Sequence, residues 1–284
     1  MHQQVVMPEG TSFLDFLYRT VRFVGQNLPV IARLIFIPIL LFIAVAGFGI
    51  DIYLDVLREF LAKSTDRTAS LVLAVPVAGV LLLTFINAAI GCALSDLALK
   101  QIELENGRPV LHTIPNPMWR LFAASLRFWL IACAVFFVFG LMEVLVFAGS
   151  EKSWSLPFSL GVMALLYFLA FRLCVFIAPL SLRQAGPILR RCWVLSGVHQ
   201  RYVLGFGVLL AFIAVALESC GEALVRLFLT PYAETQAQNL ADKAAFLQAM
   251  LPAWLFGFAM AYVVSAVFFF IGSAFLYRII LPCK

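Results

Sequence analysis

Residues 69–95 read ASLVLAVPVAGVLLLTFINAAIGCALS, and this stretch decides the fold because it holds no acidic or basic side chain over its whole length. A bilayer core of about 30 Å requires roughly 20 mostly apolar residues for one helical crossing. A helix of that length on a soluble protein would show a polar face, and this one shows none. Five further long, mostly apolar runs lie at about 30–50, 121–149, 157–182, 202–228 and 250–277. The sequence therefore predicts an all-α fold: a single polytopic membrane domain over 1–284, with six transmembrane helices and short interfacial amphipathic helices. Composition agrees, with 63% hydrophobic and 12% charged residues, where a soluble domain carries roughly 25% charged. The longest connections, about 51–68, 96–120, 183–201 and 229–249, are too short for an independent soluble core.

The net charge of +5 would suggest nucleic acid if taken whole, but its distribution points elsewhere. The N-terminus, the 96–120 and 183–201 connections and the C-terminus form one side of the predicted topology. Only Arg58, Lys63, Arg67, Lys152, Arg226 and Lys243 fall to the opposite side, leaving fourteen of the twenty cations on the first. This positive-inside bias predicts that both termini are cytoplasmic. The expected partner is membrane lipid, in particular anionic phospholipid, and no nucleic acid. No cleavable signal peptide is expected, since the first apolar run starts near Val30 and is long enough to span. The six cysteines show no CxxC pairing and read as small apolar packing residues.

Three spans are preceded by a segment with amphipathic spacing. In the first, Ser12 and Asp15 have capping-box spacing, and Phe13, Phe16, Leu17, Val21 and Val24 share one face, away from Arg19 and Arg22. Residues 109–122 look like a weaker copy, interrupted by Pro115 and Pro117. The clearest runs from Gly186 to Gly197: Pro187 suits the first helical position and Gly197 the residue past the end. Its Ile188, Leu189, Cys192, Trp193 and Leu195 fall at helical spacing, while Arg190 and Arg191 point away. Such helices lie in the headgroup plane with arginines among lipid phosphates. Arg19, Arg22, Arg190, Arg191 and Trp193 are therefore the expected headgroup contacts.

Lipid tails are as apolar as leucine, so spanning helices associate where small residues permit close approach. Span two carries Thr84, Asn87, Ala88, Gly91, Cys92 and Ser95 on one face, span six Gly257, Ala261, Ser265 and Gly272, and span four Ala170, Cys174 and Ala178. The even-numbered spans are expected at the centre, with the phenylalanine-rich odd spans nearer lipid. Arg172 follows Pro157 by fifteen residues, roughly 22 Å into span four at about 1.5 Å per residue. A charge there costs about 2.5–3.5 kcal/mol on insertion scales, so Arg172 should face the bundle interior. Asn87, Ser265 and Glu143 complete the candidate binding set. Two readings stay open: an anion-binding position for lipid phosphate or carboxylate, or a satisfied polar staple that snorkels toward the headgroups.

No HExxH, Walker-type GxxxxGK, GxSxG or metal-ligand cluster is present, so no catalytic residue, metal or cofactor is expected. The function classes rank as membrane scaffold or accessory protein first, transporter or lipid-handling protein second, and integral membrane enzyme last.

The segment Arg172-x6-Pro179…Gly186-Pro187…Arg190-Arg191-Cys192-Trp193-x-Leu195-Ser196-Gly197…Arg201 resembles a loose, uncharacterised group of bacterial six-span membrane proteins. That group includes the membrane domain fused to some glycerophosphoryl diester phosphodiesterases. Cys192 stands where serine is usual. The resemblance implies six spans and a bacterial inner-membrane location. This chain has no phosphodiesterase domain, so the resemblance carries over no enzymatic activity.

Overall fold

The computed structural model describes residues 13–63, 66–105, 114–147, 168–169, 171–233 and 240–280. These are helical throughout apart from short turns, and no strand occurs among the described residues. The helices are α1 (Phe13–Lys63), α2 (Asp66–Glu105), α3 (Pro117–Phe147), α4 (Ile177–Arg183), α5 (Ile188–Val198), α6 (Gln200–Ala233) and α7 (Leu240–Ile280). Among the described residues, five helical segments are long and apolar enough to cross a membrane: Phe13–Gly49, Ser70–Leu104, Pro117–Val135, Gln200–Leu217 and Ala259–Ile280. They fall on five of the six expected runs. Of the remaining run, 157–182, residues 157–167 and 170 lie outside the described residues, and the described part turns at 175–176.

The segment around 12–24 is not a separate surface helix, because α1 continues through it without a break. Its buried positions explain why: Phe16, Thr20, Phe23, Ile31, Ile35 and Phe42 form one stripe at helical spacing that carries on past Pro29. Likewise, 117–122 form the opening turns of α3 rather than a helix of their own. Asn116 takes the left-handed conformation (φ 55°) that asparagine tolerates, and Pro117 then occupies the first helical position. Residues 106–113, the rest of that expected copy, lie outside the described residues.

The chain divides into two compact units. The first comprises 1–23, 91–208 and 269–284, and the second 24–90 and 209–268. In the first unit, phenylalanines meet edge to face: Phe16 on Phe206 (5.4 Å), Phe206 on Phe171 (5.9 Å) and Phe171 on Phe269 (6.0 Å). Small residues make room for these rings. A Cβ on Gly272 would lie 2.5 Å from the Phe206 ring, and one on Gly91 2.6 Å from Phe270. Ser95 donates a hydrogen bond to the Phe270 carbonyl oxygen, tying α2 to α7 at the same level. These contacts involve the small-residue positions of runs two and six. However, Phe42 on run one and Phe206 on run five are buried, so phenylalanine on odd-numbered runs does not by itself mark a lipid-facing surface. Phe36, Phe48, Phe137 and Phe212 are exposed.

Candidate functional site

Proline sets the position of Arg172. Pro179 has no N–H, and its ring would collide with the carbonyl four residues earlier, at Val175. Residues 171–174 are helical, 175–176 form a turn, and α4 starts afresh at Ile177. Ile177 to Leu182 are then all buried. Gly186, at φ 112°, takes a conformation that suits glycine alone, and Pro187 leads from it into α5. This path brings α5 beside residue 172.

The Arg172 guanidinium lies against the second half of α5, one turn before α6 begins. Its Nε donates to Ser196 Oγ (3.4 Å), and its Nη2 donates to the Trp193 carbonyl oxygen (3.2 Å). The plane stacks on the Trp193 indole at 3.9 Å, with the Phe168 ring at 5.6 Å. A Cβ on Gly197 would sit 2.6 Å from Nη2, so glycine leaves the space the guanidinium fills. Gly197 was expected past the helix end. It lies inside α5 instead, which closes at His199. Three residues of the 193–197 signature thus form one cradle: an aromatic face, a hydroxyl acceptor and a gap.

Helix α5 also faces differently from its sequence pattern. Cys192 and Ser196 are fully buried, whereas Trp193 is 40% exposed, Val194 56% and Val198 68%. The face led by Cys192 packs into the protein, and valines join Arg190 on the open side. Burial first, and the neighbouring Cys174 thiol second, push the Cys192 thiol well above its ordinary pKa. Partial burial lowers the pKa of His199, which closes α5.

Arg172, from the expected binding set, meets Trp193, one of the expected headgroup contacts. Arg190 is exposed one turn before Trp193, and Arg191 donates to Gln184 Oε1 at 2.9 Å. Asn87 and Ser265 belong to the second unit. There Asn87 Oδ1 accepts a hydrogen bond from the Tyr262 hydroxyl at 2.7 Å, and the Tyr262 ring stacks on Phe42 at 4.1 Å. Ser265 lies half-buried about one turn further along α7. The Glu143 side chain lies outside the described residues. Arg19 and Arg22 are exposed on α1.

Sequence reasoning missed a buried ion-pair cluster in the first unit. Glu103, 2% exposed, pairs with Arg183 at 3.3 Å and also with Arg278. Asp96 lies 3.8 Å from Arg183 and 2.5 Å from Lys100. This cluster clamps the ends of α2, α4 and α7 together. Nearby, Arg120 donates to the Ser181 and Gln184 carbonyl oxygens, and the Gln184 amide donates to the Tyr277 hydroxyl. A signal was present, because the small-residue stripe Thr84, Ala88, Gly91, Ser95 continues by helical steps to Leu99 and Glu103, all buried.

Among the described residues, no group of three His, Cys, Asp or Glu side chains is disposed to hold a metal ion. In comparisons by sequence and by fold, no protein family, curated protein or solved structure matches this chain. The fold and site together define an all-helical protein with several helices of membrane-spanning length.

Proposed function

We propose that this chain is a six-span protein of the bacterial inner membrane with both termini cytoplasmic, acting as a membrane scaffold or accessory protein. The five apolar helices support membrane insertion, the sixth run at 157–182 supplies the remaining crossing, and the cation bias supports the orientation. The likeness of Arg172–Arg201 to bacterial six-span proteins fits this reading. One observation carries the scaffold role: the polar groups within the helices join helix to helix. Arg172 seats α5, Asn87 links α2 to α7, and Glu103 clamps three helix ends. Seated in this way, α5 presents Arg190, Trp193, Val194 and Val198 outward as a surface suited to the headgroup zone.

A second reading, lipid handling with an anion held at Arg172, is favoured by one fact. No acidic side chain among the described residues pairs with that guanidinium. Arg172→Ala separates the two. Loss of accumulated protein in membranes supports the staple, whereas normal accumulation with loss of a co-purifying lipid supports the ligand position. Co-purification followed by lipid and protein mass spectrometry tests the scaffold role, which predicts a stoichiometric protein partner or a fixed complement of lipid.

A further inference from the structure

Arg172 is anchored without being neutralised. Its hydrogen-bond acceptors are a hydroxyl and a carbonyl, and its stacking partners are two neutral rings. Nε and Nη2 are engaged, and Nη1 has no partner among the described residues. The contrast lies within the same unit: buried Arg183 and Arg278 both pair with the Glu103 carboxylate. A half-buried charge with no counter-charge is costly, and an anion from outside relieves that cost.

The surroundings indicate where the anion comes from. Arg190 is exposed one turn before Trp193, and Arg201 is exposed one turn beyond Gly197, both without an acidic partner among the described residues. Arg201 stands in the first turn of α6, where the helix dipole disfavours a cation and favours an anion. Between these cations, Trp193, Val194 and Val198 are open. A soluble anion needs no apolar surface beside it, whereas a lipid does, because its phosphate is covalently joined to acyl chains.

We infer that Arg172 binds the phosphate of an acidic phospholipid, with Arg190 and Arg201 adding positive charge on either side and Trp193, Val194 and Val198 against its glycerol and upper acyl chains. The cradle holds Arg172 in place beforehand, so that side chain needs little further ordering on binding. This inference rests on the membrane reading above and assigns α5 its partner.

The test uses purified full-length protein in mixed micelles, titrated with phosphatidylglycerol or phosphatidylcholine, with retained lipid counted by native mass spectrometry. Wild type should hold phosphatidylglycerol preferentially, and 10 mM inorganic phosphate should leave it in place. Each exposed arginine near anionic lipid is worth about a fivefold change, so Arg190→Gln with Arg201→Gln should weaken retention about 25-fold. Neither side chain makes a described contact, so this double variant should keep the wild-type melting temperature. Arg172→Gln should lower retention further. Equal retention of the two lipids, displacement by inorganic phosphate, or unchanged retention in the folded double variant would each overturn the inference. None of those results affects membrane insertion or topology, which labelling of the termini tests separately.

Discussion

Arg172 and Glu103 use opposite means of holding charge inside this fold. Glu103 sits between two arginines, so its removal takes a buried carboxylate from both guanidiniums. Glu103→Ala should destabilise the protein by about 3–5 kcal/mol, the usual cost of breaking a buried pair from one side. Thermal unfolding in detergent measures this, and a melting temperature equal to wild type would show that the cluster is not a clamp. Arg172 answers instead to the shape of α5. In Gly197→Ala the new methyl displaces the guanidinium from Trp193, so the indole emission should shift while the protein stays folded. An unchanged spectrum would contradict the cradle. Cys192 is buried with its pKa raised, so it stays a thiol and should resist water-soluble maleimide until the protein is unfolded.

At the scale of elements, what the sequence disclosed depended on whether one helix axis could be trusted. Along α2 it could, because Thr84, Ala88, Gly91 and Ser95 recur at helical steps and are all buried. Glu103 on the same stripe escaped notice because a carboxylate beside a polar connection looks solvated. Arg172 was placed deep by counting residues along a straight helix from Pro157. The turn at 175–176, forced by Pro179, brings it against α5 instead. α1 escaped for the opposite reason: the amphipathic face over 12–24 suggested a helix of its own, yet the buried stripe from Phe16 to Phe42 runs on beyond it. The facing of α5 was not legible either, since valines and arginines share its outer side.

Helix α5 also carries a titration. His199 has its pKa lowered by partial burial, so the folded state favours the neutral ring. Its ordinary value is about 6.5. Above that value both states are neutral and the full stability is present. As pH falls below it the unfolded chain takes up the proton first, and stability is lost down to the lowered folded value. Thermal unfolding between pH 7.5 and 5.5 should show this decline, and His199→Gln should flatten it. A decline that is identical in the variant would assign it to other groups.

For the whole molecule, packing must work without the usual hydrophobic drive, because exposed Phe36, Phe48, Phe137 and Phe212 are as well solvated by lipid as by protein. Close approach at Gly91 and Gly272, aromatic edges and buried ion pairs hold the helices together instead. Gly272→Leu should therefore cost about 1–3 kcal/mol or more through overpacking against Phe206. A measured loss below that range would mean that the contact is slack. The account depends above all on six crossings with the arginine-rich face toward the cytoplasm. The most direct measurement fuses a reporter that is active only in the cytoplasm to the N-terminus and, separately, to the C-terminus. Activity at both ends is the predicted result, and activity at one end alone would contradict an even number of crossings.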